Sequence, residues 1–301
     1  MIKDLRKGDA IIGSHGKSVT VTGTYPQGIR QTYWIQFCDG CGVEVSDHHL
    51  WLVHDIYPGI PPVVLSTLEL FHRAKSGIGK RLGRIPVVKP VQYFYESRDH
   101  QIDPYTLGVF LSAFDRSLGK LSIRFPSVDF DHYAKFLKFG RHQWSYFETN
   151  QYVELTVEES FQSLLSKYLT PVSESRCMRI PSELMMAPVT HRVAFLQGLL
   201  DISPETDGTI AELGIPLRKD VIDIVRSVGG LAFPGTGSHL TLQLEAGLVP
   251  FLSPSKQQAD THKAIIVPQR YIMNVHPLRK TEVMCISVDA EDHLYVTENV
   301  R

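Results

Sequence analysis

The sequence predicts an α+β protein in which an all-β domain is interrupted by a second domain built of two related halves. Short β-branched runs separated by glycine fill the first sixty residues, and similar runs return in the last thirty. Between them the apolar residues recur with helical periods. Within this middle region, residues 107–115 and 196–202 look like altered copies of one apolar helix, each with a small residue near its start and a carboxylate towards its end.

The β runs come first along the chain. They lie at residues 10–12, 18–22, 33–37 and 43–45. Asp39 and Gly40 connect the last two runs and suit the two-residue turn of a hairpin. Cys38 and Cys41 have the spacing of half a zinc site, but the sequence contains no second pair of Cys or His residues with metal-site spacing. We therefore predict a hairpin turn here rather than a metal site.

A basic segment follows the first β region. Between residues 72 and 89 the sequence contains several basic residues and no acidic one, which suits the neutralisation of phosphates. A solvated linker has the same composition, so charge alone leaves a linker and a DNA contact both open. The formal net charge of −1 adds no global indication of nucleic-acid binding. The basic residues are Arg73, Lys75, Lys80, Arg81, Arg84 and Lys89.

The middle region has two halves with the same order of elements. In each half the apolar helix is followed by a β segment and then by a second helix, although the second half is the poorer copy because its β segment is short. The Gly229–Gly230 pair suits the C-terminal end of the second helix in that half. The predicted elements are strands at residues 121–125 and 240–244 and helices at residues 131–137, 160–166 and 220–228.

The chain closes with β runs at residues 282–288 and 293–297, which would complete the interrupted domain. With 43% hydrophobic and 21% charged residues, the composition is that of an ordinary soluble globular protein. No apolar run approaches the roughly 18–20 residues of a membrane helix, and the first residues lack the apolar region of a signal peptide. We therefore expect no membrane association and a cytoplasmic location, in a bacterial or phage-infected cell.

The sequence motifs, taken in order, resemble a known family. The motifs lie at residues 2–9, 13–17, 43–51, 84–90, 102–108, 226–230, 285–289 and 294–297. Together they resemble an intein, in which a Hint (splicing) β domain carries an embedded LAGLIDADG, or dodecapeptide, homing endonuclease. The resemblance implies four segments. These are residues 1–60 as the N-terminal part of a Hint-like domain, 61–103 as a basic linker or DNA contact, 104–264 as a pseudo-two-fold LAGLIDADG endonuclease domain with repeats at about 104–190 and 191–264, and 265–301 as the C-terminal part of the Hint-like domain.

For splicing, the resemblance implies a Thr-x-x-His element that activates the first scissile peptide bond. Ser46 and His49 occupy the place of this element, with His49 positioned to polarise an amide. The sequence begins at Met1 without an upstream nucleophile and ends without the His–Asn pair that such splicing uses, so we expect no splicing from the chain as given. The alternative for His49 is a buried imidazole in the β core beside Trp51.

For the endonuclease, the resemblance implies that the two motif helices pack side by side at a pseudo-dyad, where Gly108 and Gly198 let the backbones approach. Carboxylates at the helix ends would bind Mg²⁺ or Mn²⁺ and hydrolyse double-stranded DNA. We expect Asp115 and Asp207 to be the catalytic and metal-binding acids, with Asp201 as a further catalytic candidate. Because one chain contains both motifs, it supplies both halves of the pseudo-two-fold arrangement, and we expect a monomer.

The same resemblance implies that strands on either side of the helix pair lie across the duplex and contact bases and phosphates. Arg124 and Gln243 lie in the predicted strands and are candidate DNA contacts. The family commonly keeps a lysine near the scissile phosphate. Met178 stands at that position here, and the adjacent Arg179 is the candidate substitute.

The acidic positions depart from the family pattern. Counted from Leu107, the position of the metal-binding acid falls on Phe114, and Asp115 comes one residue later. Counted from Leu196, it falls on Ser203, and Pro204 follows where the family has glycine. Displaced acids predict weak or absent cleavage. Three alternatives therefore stay open: an inactive relic that binds DNA or only folds, a splicing module, and two ordinary core helices with surface carboxylates.

Overall fold

The structure is a computed structural model that describes residues 2–297 except 57–58, 77–81, 94–100, 114–121, 167–168, 173–174, 206–207, 211–212, 246 and 260–266. The chain divides into two compact units. Unit 1 comprises Met1–Gln92, Gly229–Phe233 and Val267–Arg301, and unit 2 comprises Tyr93–Val228 and Pro234–Ile266. Helices and antiparallel sheets together confirm the predicted α+β class.

The elements are numbered in chain order. The strands are β1 (Ala10–Ile12), β2 (Ser18–Phe37), β3 (Gly42–Ser46), β4 (Leu50–Val53), β5 (Val63–Ser66), β6 (Arg84–Ile85), β7 (Ser122–Pro126), β8 (Trp144–Glu148), β9 (Tyr152–Val157), β10 (Leu169–Val172), β11 (Ser175–Met178), β12 (Thr209–Ile210), β13 (Leu231–Pro234), β14 (Leu240–Gln243) and β15 (Arg270–Val288). The helices are α1 (Thr67–Ser76), α2 (Pro104–Ala113), α3 (Ser127–Phe136), α4 (Glu159–Ser166), α5 (Ser182–Met185), α6 (Val189–Ile202), α7 (Ile215–Ser227) and α8 (Pro254–Ala259).

Unit 1 is organised around a long antiparallel ribbon of β2 and β15, which pair from Val21 opposite Val288 to Phe37 opposite Ile272. The predicted β runs at residues 18–22 and 33–37 both lie in β2, which continues as one strand through the residues between them. The connecting residues are largely polar and exposed, so side-chain pattern gives no strand signal there. Their backbone groups instead bond across the ribbon to β15.

The predicted hairpin between β2 and β3 is confirmed. Gln36 lies opposite Gly42, and Gly40 has a φ of +75°, a conformation that glycine adopts without strain. A residue of β15 also stabilises the turn, because the buried Asp39 carboxylate accepts a hydrogen bond of 2.8 Å from the guanidinium of Arg270. At the C-terminal end, the predicted strand at residues 293–297 is reduced, in the part of the chain that the structure describes, to a single bridge between Tyr295 and Gly13.

In unit 2 the predicted helices at residues 131–137, 160–166 and 220–228 are confirmed as α3, α4 and α7. Helix α7 begins at Ile215, earlier than predicted, because Pro216 fits the first turn of a helix. The predicted strands become β7 and β14. Strand β9 lies between β7 and β8 in an antiparallel sheet, and β12 pairs with β14.

Helix α2 is buried along nearly its whole length, as expected for a helix that is apolar on all sides. Asp103 precedes it as N-cap, since its carboxylate accepts a hydrogen bond of 3.1 Å from the backbone N–H of Thr106, and Pro104 occupies the first helical position. Among the described residues, no helix combines the length and hydropathy that a membrane crossing requires.

Candidate active site and nucleic-acid interface

Helices α2 and α6 pack against each other through their glycines. A Cβ atom placed on Gly108 would lie 2.2 Å from the carbonyl oxygen of Phe195, and one placed on Gly198 would lie 2.1 Å from the carbonyl oxygen of Tyr105. Both distances are far below van der Waals contact, so the two backbones touch only because these residues carry no side chain. The prediction that Gly108 and Gly198 let the motif helices approach is confirmed.

The contacts of the two glycines are reciprocal. A Cβ atom on Gly108 would contact the residue three positions before Gly198 and the residue one position after it. A Cβ atom on Gly198 would contact the residue three positions before Gly108 and the residue one position after it. This pattern is that of a pseudo-two-fold axis with an offset of ninety residues, the separation of the two glycines. Adding ninety to the residue numbers of α3 gives residues 217–226, which lie within α7. The helix that follows each motif therefore obeys the same relation.

Asp115 and Asp207, the two acids predicted to bind metal, lie outside the described residues, and their roles stay predictions. Helix α2 ends at Ala113 and helix α6 ends at Ile202, so each acid follows the end of its helix in sequence. Within the described part of the chain, no group of three or more His, Cys, Asp or Glu side chains is placed to hold a metal ion.

Asp201 lies inside unit 2 with 2% of its surface exposed. Its carboxylate accepts hydrogen bonds of 2.8 Å from the Tyr105 hydroxyl, 3.0 Å from the backbone N–H of Leu252 and 3.1 Å from that of Ser253. Burial raises the pKa of Asp201, while these hydrogen bonds act in the opposite direction. The Asp201 side chain thus connects α6 to α2 and to the segment before α8. A catalytic role for Asp201 stays a prediction, and it would require a carboxylate that also makes these contacts.

Lys256, in α8, lies at the C-terminal end of α6. Its ammonium group donates to the carbonyl oxygens of Leu200 at 2.7 Å and Glu205 at 3.1 Å, and also to that of Ser203. Burial lowers the pKa of Lys256 to about 8, and nearby acids, Asp201 first among them, oppose this effect. The sequence gives no signal for this contact, because Lys256 occupies an ordinary polar stretch about fifty residues from its partners.

The sheet of β7, β9 and β8 has two different faces. Ile123, Phe125 and other alternate side chains are buried, whereas Arg124, Glu154 and Phe147 lie side by side on the opposite face. The Arg124 guanidinium donates a hydrogen bond of 3.0 Å to the Glu154 carboxylate, and Phe147 is 66% exposed. Arg124, predicted to contact DNA, therefore lies on an open strand face; Gln243 is half-buried at the end of β14.

The other predicted DNA contacts have protein partners, or lie outside the described residues as Lys80 and Arg81 do. The Arg179 guanidinium donates two hydrogen bonds, of 2.7 and 2.9 Å, to the Asp220 carboxylate. Arg84 forms an ion pair with Asp55. Arg73 and Lys75 lie in the last turn of α1, where the Lys75 ammonium is 4.6 Å from the centre of the Phe71 ring, and the backbone N–H of Lys89 donates to Ser14.

His49 and Ser46 form a turn in unit 1. The backbone N–H of His49 donates to the Ser46 carbonyl oxygen at 3.2 Å, and the His49 ring meets the Trp51 ring edge-on with centroids 4.8 Å apart. Thr67 closes the arrangement, because its N–H donates to the His49 carbonyl oxygen and its hydroxyl accepts from the Trp51 indole. Burial lowers the pKa of His49 to about 4, which keeps the imidazole neutral at physiological pH.

We expect the stability of the protein to fall as the pH is lowered from about 6.5 to about 4. The unfolded chain protonates His49 near its ordinary pKa of 6.5, whereas the folded chain resists protonation to about 4, so the unfolded state binds more protons in this window. At about 1.4 kcal/mol per pKa unit, the expected loss is on the order of 3 kcal/mol. Urea unfolding at a series of pH values measures it.

His49→Gln should make the stability curve less steep across this window, and its effect on the slope should exceed that of His48→Gln, at the exposed neighbouring position. Equal slopes in the wild type and His49→Gln would contradict the assignment.

Comparisons with known proteins give limited matches. No family model matches the chain. A curated relative, the replicative DNA helicase DnaB of Mycobacterium intracellulare, is 22% identical over 334 aligned residues, which cover 97% of this chain and 53% of that protein. The chain thus spans about half the length of this relative. A solved structure of mesophilic variants from the homing endonuclease I-DmoI is 13% identical, covers 48% of this chain and 88% of that chain, and superposes with a TM-score of 0.35.

Proposed function

We propose that this protein is an intein-derived LAGLIDADG homing endonuclease that binds double-stranded DNA and hydrolyses its phosphodiester bonds with Mg²⁺ or Mn²⁺. The observation that carries the proposal is the reciprocal contact of Gly108 and Gly198, because it gives unit 2 an internal pseudo-dyad like that of a DNA duplex. In this proposal Asp115 is the acid of the first repeat, and Asp207 is the acid that the sequence indicates for the second.

The open face of the β7–β9–β8 sheet supports DNA binding. Arg124 is able to donate to guanine or to a phosphate, and Glu154 is able to accept from the exocyclic amine of cytosine. In the free protein these two side chains bond each other, which holds both on the exposed face. We assign this face to the duplex, with Phe147 as an apolar contact beside the pair.

In the proposed hydrolysis a water oxygen bonds to phosphorus and one phosphorus–ester oxygen bond breaks. The proton of the water passes to a carboxylate, and the leaving oxygen takes a proton from solvent. A bound divalent cation supplies electrostatic stabilisation of the charge on the phosphate. Asp115 and the acid of the second repeat are the side chains that would hold that cation.

A second candidate is an inactive relic that binds DNA without cleaving it. Ser203 favours this alternative, because it occupies the acidic position of the second motif as counted from Leu196 and its hydroxyl donates a hydrogen bond of 2.8 Å to the Thr209 carbonyl oxygen. A serine engaged in this way does not replace a metal-binding carboxylate.

A cleavage assay separates the two candidates. The substrate is a duplex that joins the genomic sequences on either side of the coding region of this chain, incubated with Mg²⁺ and, separately, with Mn²⁺. We expect the wild type to cleave it and Asp115→Asn to cleave at least tenfold more slowly while still binding, because a neutral amide holds a divalent cation poorly. Asp131→Asn, which changes an exposed acid on α3, should cleave like the wild type.

One result would decide against the nuclease, and another would decide against Asp115 as its acid. Binding of the duplex without cleavage in either metal would favour the relic. Cleavage that is unchanged in Asp115→Asn would remove this residue from the active site.

A further inference from the structure

The open face of the β7–β9–β8 sheet carries one cation and one anion from its three strands. Alternation along the strands places Arg124 of β7, Glu154 of β9 and Phe147 of β8 in one row across this face. The next row on the same face consists of hydroxyl side chains, those of Ser122, Thr156 and Ser145. The formal charges that the strands present on this face therefore cancel, and hydrogen-bonding groups remain.

This balance of charge argues against a phosphate as the ligand of Arg124. A surface that binds the DNA backbone concentrates positive charge, because its affinity comes from neutralising phosphates. Here a carboxylate oxygen of Glu154 lies 3.0 Å from Nε of Arg124 and would repel a phosphate at the guanidinium. Base edges in the major groove have no net charge and offer hydrogen-bond donors and acceptors. The face is therefore better suited to base edges than to phosphates.

Two contacts hold the Arg124 guanidinium in place. Its Nε donates to the Glu154 carboxylate, and its central carbon lies 5.0 Å from the centre of the Tyr152 ring, a cation–π contact. Tyr152 precedes Glu154 by two residues in β9 and lies on the same face. The Arg124 side chain is 67% exposed, and neither Nη1 nor Nη2 bonds any residue within the part of the chain that the structure describes. The two-nitrogen end of the fork is thus available to a ligand.

A guanidinium held in this way matches guanine. Guanine presents two acceptors, O6 and N7, in the major groove, and the planar fork of arginine binds both at once. Because Glu154 and Tyr152 already order the Arg124 side chain, binding costs less conformational entropy than it would for an unrestrained arginine. The second carboxylate oxygen of Glu154 is able to accept from the exocyclic amine of the paired cytosine. Together the two side chains match both halves of one base pair.

We propose that Arg124 and Glu154 recognise one G·C base pair in the major groove of the target duplex. Arg124 binds the guanine, Glu154 binds the cytosine amine, and Tyr152 is a positioning residue that holds the Arg124 fork. This inference rests on the DNA binding of the proposed function and deepens it, because it assigns a base pair to named side chains. It applies to an active nuclease and to an inactive relic alike, since both bind DNA.

The test measures the affinity of the full chain for DNA. The reference duplex joins the genomic sequences on either side of the coding region, and each further duplex has one base pair changed. Divalent cations are left out so that the DNA stays intact, and fluorescence anisotropy gives the affinity at two salt concentrations. The variants are Arg124→Lys, Arg124→Gln, Glu154→Gln, Tyr152→Leu, Tyr152→Phe and Arg141→Lys. Arg141 is the matched control, because it is an exposed arginine outside the three strands.

We expect the wild type to prefer G·C at one position of the duplex by about tenfold or more over each other base pair. Arg124→Lys keeps the charge but loses the fork, so it should lose most of this preference and retain the preferences at other positions. Glu154→Gln should weaken the same preference. Tyr152→Leu should weaken it as well, whereas Tyr152→Phe, which retains the ring, should restore it. Arg141→Lys should behave like the wild type, and melting temperatures verify that each variant folds.

A phosphate contact at Arg124 predicts a different result. Arg124→Lys would then bind every duplex as the wild type does, and Arg124→Gln would weaken binding to all duplexes alike and reduce the salt slope by about 1. That result overturns the inference and leaves DNA binding standing, as does a G·C preference that survives in both Arg124 variants. A wild type that does not bind the reference duplex overturns the proposed function itself, and the inference that rests on it.

Discussion

Gly198→Ala and Gly108→Ala are each expected to lower the free energy of unfolding by about 3 kcal/mol. In an ordinary helix the same change raises stability by up to about 1 kcal/mol, because alanine is the better helix former. Here the added methyl group would lie 2.1 or 2.2 Å from a backbone carbonyl oxygen of the facing helix. The atoms that the methyl group meets belong to the backbone and cannot move aside as a flexible side chain could. Helices α2 and α6 therefore have to separate and lose their packing.

Urea unfolding of the two variants measures the effect, with Gly235→Ala as the control. A Cβ atom at Gly235 would have its nearest neighbour, the Cβ of His239, at 3.2 Å, and the residue is exposed. We expect this control to lose clearly less stability than either helix variant, because a contact of 3.2 Å needs only a small shift of His239. Wild-type stability in Gly198→Ala would show that the helices do not touch at this point.

The double variant adds a sharper test of the dyad. If one contact patch contains both glycines, separating the helices for one methyl group also makes room for the other. The Gly108→Ala/Gly198→Ala protein should then lose less than the sum of the single losses, with a coupling of about 1 kcal/mol or more. Additive losses would place the glycines in independent sites.

Local patterns in the sequence were enough to predict much of unit 2 and the β2–β3 hairpin. The period of 3.6 in α3, α4 and α7 and the Asp39–Gly40 turn depend on neighbouring residues, so they are visible without the fold. The small residues of the two motifs also indicated the helix contact. In each of these cases the information lies within about ten residues of sequence.

The long-range features could not be predicted in this way. The β2–β15 ribbon pairs polar residues about 250 positions apart, and no alternation of burial marks them. The carbonyl contacts of Lys256 likewise join segments that are remote in sequence. The offset of the two repeats was also ambiguous, because counting from the leucines places the acids differently from the ninety-residue relation that the glycine contacts define.

Asp201→Leu is expected to destabilise the protein by about 4 kcal/mol, whereas Asp201→Asn should cost about 1 kcal/mol. The leucine variant leaves the Tyr105 hydroxyl and the backbone N–H groups of Leu252 and Ser253 without their acceptor in a buried place. An asparagine has the same shape, and its carbonyl oxygen still accepts from the two N–H groups. Its amide can donate to the Tyr105 hydroxyl, which rotates to accept.

This pair of variants separates a structural from a catalytic role for Asp201. If the carboxylate only joins α6 to α2 and to the segment before α8, Asp201→Asn should cleave DNA within a fewfold of the wild-type rate once its folding is verified by its melting temperature. If the carboxylate takes part in hydrolysis, Asp201→Asn should be nearly as stable as the wild type and should cleave as slowly as Asp115→Asn. Because 2% exposure and three donors leave the carboxylate little access to solvent or substrate, we expect the first result.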